Sequence, residues 1–238
     1  MRIDKFLQLT CHYSKQEIQS LIKNGQVTID GQCVFSGKTQ CFSNLQVSVY
    51  DHIIEKSPYV YYMLNKPQGY ISALKDTTWP TVMDLINEKD KEYLRIMGRL
   101  DKDTTGLMIL TNNTQAISNV TLPQSHIPKK YAVTLREPLD HDLLYLFEEG
   151  IIIDGNVKCQ PATIEVIDPT HVYLTIYEGR YHQVKKMFLS LQNEVIALKR
   201  IQMNELCLDP HLPLGHYRQL SKQEVDLLLK NIKKIGYE

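Results

Sequence analysis

The chain has 238 residues, which suits one larger domain and one small one, and its 27 basic and 27 acidic side chains leave no net charge. Any face that binds a polyanion therefore requires local segregation of the basic residues. The five cysteines are scattered and the eight histidines form no metal-binding motif, so we expect no disulfide framework, metal or cofactor. No apolar run is long enough to span a bilayer and no secretory signal is apparent, so we expect a cytoplasmic protein without membrane contact.

The first fifty residues have the pattern of a small helical module followed by short strands. A first helix is indicated by apolar residues at helical spacing from Ile3 to Leu7. Ser14 stands three residues before Glu17, which is a capping-box pattern at the start of a second helix. Strands are predicted at 26–29, 32–35 and 45–49.

The polar stretch 51–57 is predicted to be a linker between a domain at 1–56 and a domain at 57–238. In the larger domain, alternation and turn residues predict many strands with interspersed helices, which indicates the α+β class. Strands are predicted at 59–64, 95–97, 106–111, 128–135, 162–167, 171–177 and 195–203, and helices at 81–86, 112–119, 139–150, 184–191 and 225–232.

A polar turn between two apolar runs lies at the centre of the chain, from Met97 to Thr111. Its glycines allow positive φ and close approach of another backbone, and its aspartates would be held by rigid flanking strands. By pattern alone, an ordinary hairpin loop whose Asp and Thr side chains bind their own backbone is favoured over a catalytic loop.

The order of the residues favours catalysis. The stretch resembles the catalytic motif of RsuA-type RNA pseudouridine synthases in Gly98-Arg99-Leu100-Asp101 and Thr104-Thr105-Gly106-Leu107. Two further strings are similar to the same family, Leu64 to Tyr70 and Glu178 to Phe188, and the start of the chain resembles an S4 RNA-binding module. The resemblance implies an S4-like αα-β module followed by a pseudouridine synthase domain with a mixed, mostly antiparallel central sheet.

The resemblance implies that a uridine in RNA is isomerised to pseudouridine, with Asp101 as the catalytic carboxylate. Attack on C1′ and removal of a proton from C2′ both need such an anion, and the sequence leaves the two routes open. By the same resemblance, Lys185 corresponds to the basic residue that pairs with the aspartate. Tyr131 corresponds to the residue that lies against the target base, and Leu198 to a residue that lines the active site. Arg99 would fill the space vacated by the base or hold a phosphate.

Five lysines are candidates for RNA contact, although ordinary solvated positions are the alternative for each of them. They are Lys5 and Lys15 in the S4-like module and Lys66, Lys129 and Lys130 in the larger domain. The family usually has glycine where this chain has Asn204, a residue that tolerates the left-handed region. The expected partner is 16S rRNA or a small-subunit assembly intermediate, bound by a monomer.

Three rival functions remain at this stage. One is a 23S rRNA pseudouridine synthase of the same branch, and another is a non-catalytic rRNA-binding assembly factor. A glycoside hydrolase using Asp101 and Asp103 is disfavoured, because two carboxylates on one short turn do not flank a sugar from opposite sides.

Overall fold

The computed structural model describes residues 1–41, 45–54, 58–88 and 91–232. The chain separates into two compact units, Met1–Tyr59 and Val60–Glu238. None of the helices in these described ranges has the length and apolar character that crossing a bilayer requires.

The helices and strands are numbered in chain order. The α-helices are α1 Ile3–Thr10, α2 Lys15–Lys23, α3 Thr114–Thr121, α4 Tyr145–Glu149, α5 Gln183–Ser190 and α6 Lys222–Leu228. The strands are β1 Val27–Ile29, β2 Gln32–Cys33, β3 Val47–Val49, β4 His52–Ile53, β5 Tyr61–Lys66, β6 Arg95–Met97, β7 Thr105–Thr111, β8 Lys129–Leu135, β9 Ile152–Ile153, β10 Val157–Lys158, β11 Thr163–Asp168, β12 His171–Ile176, β13 Val195–Met203, β14 Leu206–Cys207 and β15 Tyr217–Gln219. Short 3-10 helices lie at Val82–Leu85, Lys91–Tyr93, Pro123–Ser125 and His141–Leu143.

The first unit packs α1 and α2 on a four-stranded sheet of order β2-β1-β3-β4. The predicted capping box is confirmed, because the Ser14 side chain accepts from the Glu17 backbone while the Glu17 carboxylate accepts from the Ser14 backbone. The linker predicted at 51–57 is wrong in its first part. His52 and Ile53 form β4 and pair with β3 instead, and 55–57 lie outside the described residues.

The second unit is built on a nine-stranded sheet whose main order is β11-β12-β8-β13-β7-β5-β15. Strands β7 and β13 run parallel, whereas the other pairings in the described part of this sheet are antiparallel. The α+β class and the mixed, mostly antiparallel sheet are therefore confirmed. The apolar core lies between this sheet and the helices, and Phe147 of α4 and Phe188 of α5 are fully buried in it.

One predicted helix is interrupted. The helix expected at 139–150 is a 3-10 turn followed by the short α4, because Asp140 caps the turn and Leu143 and Leu144 donate to carbonyls three residues back. The short strands β9, β10, β14 and β15 were not predicted, since two or three residues carry too little periodicity to detect.

Glycine is required where β7 meets β13. Gly106 has φ +100°, and a Cβ atom there would lie 2.2 Å from the carbonyl oxygen of Arg200. No other residue type allows this approach, which the sequence analysis predicted for this loop. Asn204, just beyond β13, has φ 52° and keeps the left-handed turn in place of the family's glycine.

Candidate active site

The loop between β6 and β7 carries Asp101, and a buried ammonium group holds its backbone in place. Lys66, the last residue of β5, donates from Nζ to the carbonyl oxygens of Asp101 at 2.9 Å and Thr104 at 2.8 Å. The carbonyls of Pro67 and Lys102 lie 3.1 and 3.3 Å from the same nitrogen. This single side chain therefore fixes the turn from Asp101 to Thr104.

This position corrects the prediction that Lys66 contacts RNA or is solvated. The side chain is fully buried, so it cannot reach a phosphate. Burial lowers the pKa of its ammonium group to about 8, against the opposing charges of Asp103 and Asp101. A lysine can occupy this buried position of β5 because four backbone carbonyls take the place of water around its charge.

A second buried cation holds the start of the same loop. Arg200 of β13 is fully buried and donates to the carbonyl oxygens of Gly98 at 2.9 Å and Leu107 at 2.7 Å. Burial lowers the pKa of its guanidinium group, and the neighbouring Tyr131 hydroxyl opposes that shift. Ser72 completes the framework, because its hydroxyl accepts from the Leu100 backbone at 3.0 Å.

The Asp101 carboxylate projects from this framework beside two basic side chains of another segment. Asp101 Oδ1 lies 3.5 Å from His182 Nε2, and Oδ2 lies 3.9 Å from Lys185 Nζ. The side chain is 27% exposed, so it is partly desolvated yet open to a ligand. His182 itself has a left-handed backbone with φ 54°, directly before α5.

Lys185 bridges the two aspartates of the loop. Its Nζ also donates a short hydrogen bond to Asp103, whose side chain is 66% exposed. Partial burial would raise the pKa of Asp103, but the hydrogen bond and charge of Lys185 outweigh it and hold that pKa below its ordinary value. The single ammonium charge is therefore shared between the two carboxylates, while Asp101 also lines the cleft.

A cleft of about 740 Å³ opens in front of Asp101. Its lining includes Arg99, Tyr131 and Leu198, so the structure brings the predicted site residues together at one cavity. Tyr131 and Leu198 are nearly buried on adjacent strands, β8 and β13, and form an apolar wall suited to a flat base. Arg99 is exposed, and within the described ranges its side chain has no hydrogen bond or ion pair.

Charged and polar groups also line the cleft. The buried Glu178 carboxylate accepts from Gln183 Nε2 at 2.9 Å and from Arg180 Nε at 3.0 Å. Lys129 also lines the cleft, but it is 8% exposed and donates to the Ile127 carbonyl at 2.9 Å. Burial and the charge of Arg200 lower the pKa of Lys129 to about 8, with Glu178 opposing. Lys129 is thus less exposed than expected, but it lines the cleft and its phosphate contact stays a prediction.

Three further lysines were predicted to bind RNA, and they are described within their own units. Lys130 pairs with Glu165 at 3.1 Å and lies 4.5 Å from the Tyr173 ring centroid. Lys5 and Lys15 are exposed in the first unit, and RNA contact by them remains a prediction.

Sequence reasoning missed Arg200, Glu178 and His182 as parts of this site. Arg200 could have been recognised from the sequence, because it lies on the same buried face of β13 as Leu198. A charged residue at an inward strand position requires partners, and here they are carbonyls of the catalytic loop. The described part of the chain contains no cluster of three or more His, Cys, Asp or Glu side chains that could hold a metal ion.

Comparison with known proteins agrees with this geometry. The model of the RNA pseudouridylate synthase family matches residues 60–190, and the S4 domain model matches residues 1–40. The chain is 40% identical to ribosomal small subunit pseudouridine synthase A of Pseudomonas aeruginosa, over 94% of this chain and 99% of that protein. It is 38% identical to the protein of that name from Escherichia coli K12, over 94% and 98% of the two chains.

Two further similarities extend over nearly the whole chain. The Bacillus subtilis RNA pseudouridine synthase YtzG is 38% identical over 96% of this chain and 98% of its own. A crystal structure of a pseudouridylate synthase superposes with a TM-score of 0.69 at 36% identity, covering 96% of this chain and 99% of that one. The family match, the full-length relatives and the fold together show that this chain belongs to the RNA pseudouridine synthases, in the RsuA-type group with an N-terminal S4 domain.

Proposed function

We propose that the protein isomerises one specific uridine of 16S ribosomal RNA to pseudouridine, with Asp101 as the catalytic carboxylate. One observation carries the proposal. Asp101 is the carboxylate at the mouth of the cleft, braced through its own backbone and flanked by His182 at 3.5 Å and Lys185 at 3.9 Å. Such partners stabilise an anion in a site from which a bound base would exclude water.

The reaction exchanges one bond to the sugar for another. The bond between C1′ and N1 breaks, the uracil turns, and C5 bonds to C1′. C5 then releases its proton and N1 takes one up from solvent, so the product is an isomer of the substrate. An ionised Asp101 serves the first step either by attacking C1′ or by taking the C2′ proton. Tyr131 packs against the uracil from the cleft wall, and Arg99, free at the cleft rim, occupies the helix position that the flipped nucleotide leaves.

The 16S target is proposed from the relatives. The Pseudomonas aeruginosa and Escherichia coli proteins are named for the small ribosomal subunit, and they are 40% and 38% identical to this chain over nearly its whole length. We propose further that the enzyme acts in the cytoplasm on 16S rRNA or on an assembling small subunit. We also propose that it acts as a monomer, because a single chain already brings Asp101, Lys185 and Tyr131 together.

A modification map tests the target. In rRNA from cells that lack the protein, mass spectrometry of nuclease fragments is expected to show uridine at one 16S position that is pseudouridine in the parental cells. The parental gene should restore the pseudouridine, whereas the Asp101→Asn gene should not. A missing pseudouridine in 23S rRNA would support the large-subunit rival, and an unchanged map would support a non-catalytic assembly factor.

Replacement of Lys185 by methionine is expected to abolish most turnover while RNA binding persists. The change removes the positive charge beside Asp101 but keeps the length of the side chain, so the ground-state complex loses little. We expect kcat to fall by roughly 10²-fold or more, with the Kd for RNA within about threefold, as measured by single-turnover assays and filter binding.

Lys186→Met is the matched control. Lys186 is the next residue of α5, but it pairs with Asp154 at 2.7 Å and does not contact Asp101. Near-parental turnover is expected for this control. Equal losses of binding and turnover in Lys185→Met would contradict an electrostatic role beside Asp101.

A further inference from the structure

An exposed aromatic ring lies beside the Asp101 loop and takes no part in the proposed reaction. Trp79 is the one tryptophan of the sequence, and half of its surface (50%) is exposed. Its backbone N–H and that of Thr78 donate to the Asp76 carboxylate at 2.9 and 2.8 Å, and Pro80 restricts the chain that follows. The ring is thus presented to solvent from a well-ordered turn.

A cation links this ring to the Asp101 loop. Lys102, the residue after Asp101, lines the cleft, and its Nζ lies 2.8 Å from the centroid of the Trp79 ring. Within the described ranges this ammonium group has no hydrogen bond and no ion pair with a carboxylate. The Lys102 backbone is fixed, because its carbonyl accepts from Gly69 at 2.9 Å and from Lys66 at 3.3 Å.

An exposed aromatic ring with an ammonium group on one face suits single-stranded RNA, because it lies at the edge of a nucleotide-sized cleft and no carboxylate of the described ranges binds the ammonium group. Every base has a face that stacks on an aromatic ring, and an ammonium group favours the phosphate beside it. When a target nucleotide leaves its helix, its neighbour loses one stacking partner. A ring fixed at the cleft edge can replace that partner.

We propose that Trp79 and Lys102 form a stacking site for the base of an unpaired nucleotide next to the target uridine. The proposal rests on the proposed function, since the RNA it binds is the RNA whose uridine enters the cleft. A protein of the assembling ribosome is the other conceivable ligand. RNA is favoured because the ring is a single residue directly beside the cleft, too small for a protein interface of standard size.

Steady-state kinetics on a short 16S fragment containing the mapped uridine provide the first test. Trp79→Ala is expected to raise KM roughly tenfold and to leave kcat within about twofold, since stacking of a flanking base is uniform binding. Trp79→Phe should recover most of the loss. Tyr145→Ala removes an equally exposed ring from α4, outside the cleft lining, and should behave like the parental chain. An unchanged KM in Trp79→Ala overturns the proposal.

A second test uses Trp79 as its own reporter. Saturating RNA is expected to quench tryptophan fluorescence in the Asp101→Asn chain, which is designed to bind without turnover. Substrates with one abasic site on either side of the uridine should locate the contact. At one position the abasic substrate should lose the quenching and bind roughly tenfold more weakly, and Trp79→Ala should remove that discrimination.

The outcomes separate this inference from the proposed function. If the parental chain makes pseudouridine but RNA leaves Trp79 fluorescence unchanged, the stacking site is refuted and the function stands. If Trp79→Ala impairs modification of the assembling particle but not of the naked fragment, a protein ligand replaces the base and the inference is refuted. If the parental chain makes no pseudouridine, the proposed function itself fails.

Discussion

Asp101→Asn is expected to lower the rate of pseudouridine formation by about 10⁴-fold or more while the fold and RNA affinity stay intact. The amide has nearly the same size as the carboxylate but can neither attack C1′ nor take a proton. The loop should keep its conformation, because Lys66 and Thr104 hold the backbone carbonyl of Asp101 and not its side chain. Tritium release from uridine-labelled RNA measures the rate, and thermal unfolding checks the fold.

Asp103→Asn is the matched control, since it changes the same loop and the same partner, Lys185. Its side chain is 66% exposed, so we expect activity within about fivefold of the parental value. Loss of activity in Asp103→Asn with retention in Asp101→Asn would exchange the roles assigned to the two carboxylates.

Lys66→Met is expected to destabilise the protein by about 3 kcal/mol and to lower kcat by roughly 10²-fold. Methionine fills the volume but leaves four buried backbone carbonyls without their common donor. Denaturant unfolding of the parental and variant chains measures the first effect, and single-turnover kinetics measure the second. Lys222→Met, at an exposed position in α6, should change neither quantity. Parental kcat in Lys66→Met would show that the buried ammonium is not needed to position Asp101.

The pH dependence of the parental chain gives a second measure of Lys66. Its pKa falls from 10.5 to about 8 on folding, so between these values the unfolded chain binds more protons. The contribution of this group to stability is therefore fully present above about 10.5 and is lost as the pH falls to about 8. The pKa of Lys129 is also about 8, so the profile is compared with that of a Lys129→Met chain. A decline of activity above pH 8 in both chains, without loss of folded protein, would report weakened loop contacts of Lys66, and a profile flat to pH 9 would contradict this role.

Local patterns predicted much of the architecture. The Ser14 capping box and the strands around Asp101 depend on residues near one another in sequence. The glycines of the loop predicted a close backbone approach, but not that its partner at Gly106 is the distant Arg200. The family motif identified Asp101 and Lys185, and they lie 3.9 Å apart. Their catalytic roles stay predictions until the variants are measured.

The features that could not be predicted from the sequence depend on tertiary contacts. Lys66 and Lys129 were treated as surface cations, because lysine usually is solvated, yet both have buried ammonium groups bound to backbone carbonyls. No local pattern shows that a loop more than thirty residues away supplies the acceptors of Lys66. The partners of Arg200 could not be predicted for the same reason, since the carbonyl groups that it binds lie about a hundred residues earlier in the chain.

The position of β13 in the sheet affects the order in which the enzyme matures. This strand is synthesised late, yet it lies between β8 and β7, which leave the ribosome long before it. Until it inserts, the earlier strands cannot close into one sheet, and the Asp101 loop lacks the guanidinium group that fixes its first carbonyls. A nascent chain that already carries Asp101 is therefore expected to be inactive, and activity should appear abruptly once the last third of the polypeptide is free to fold.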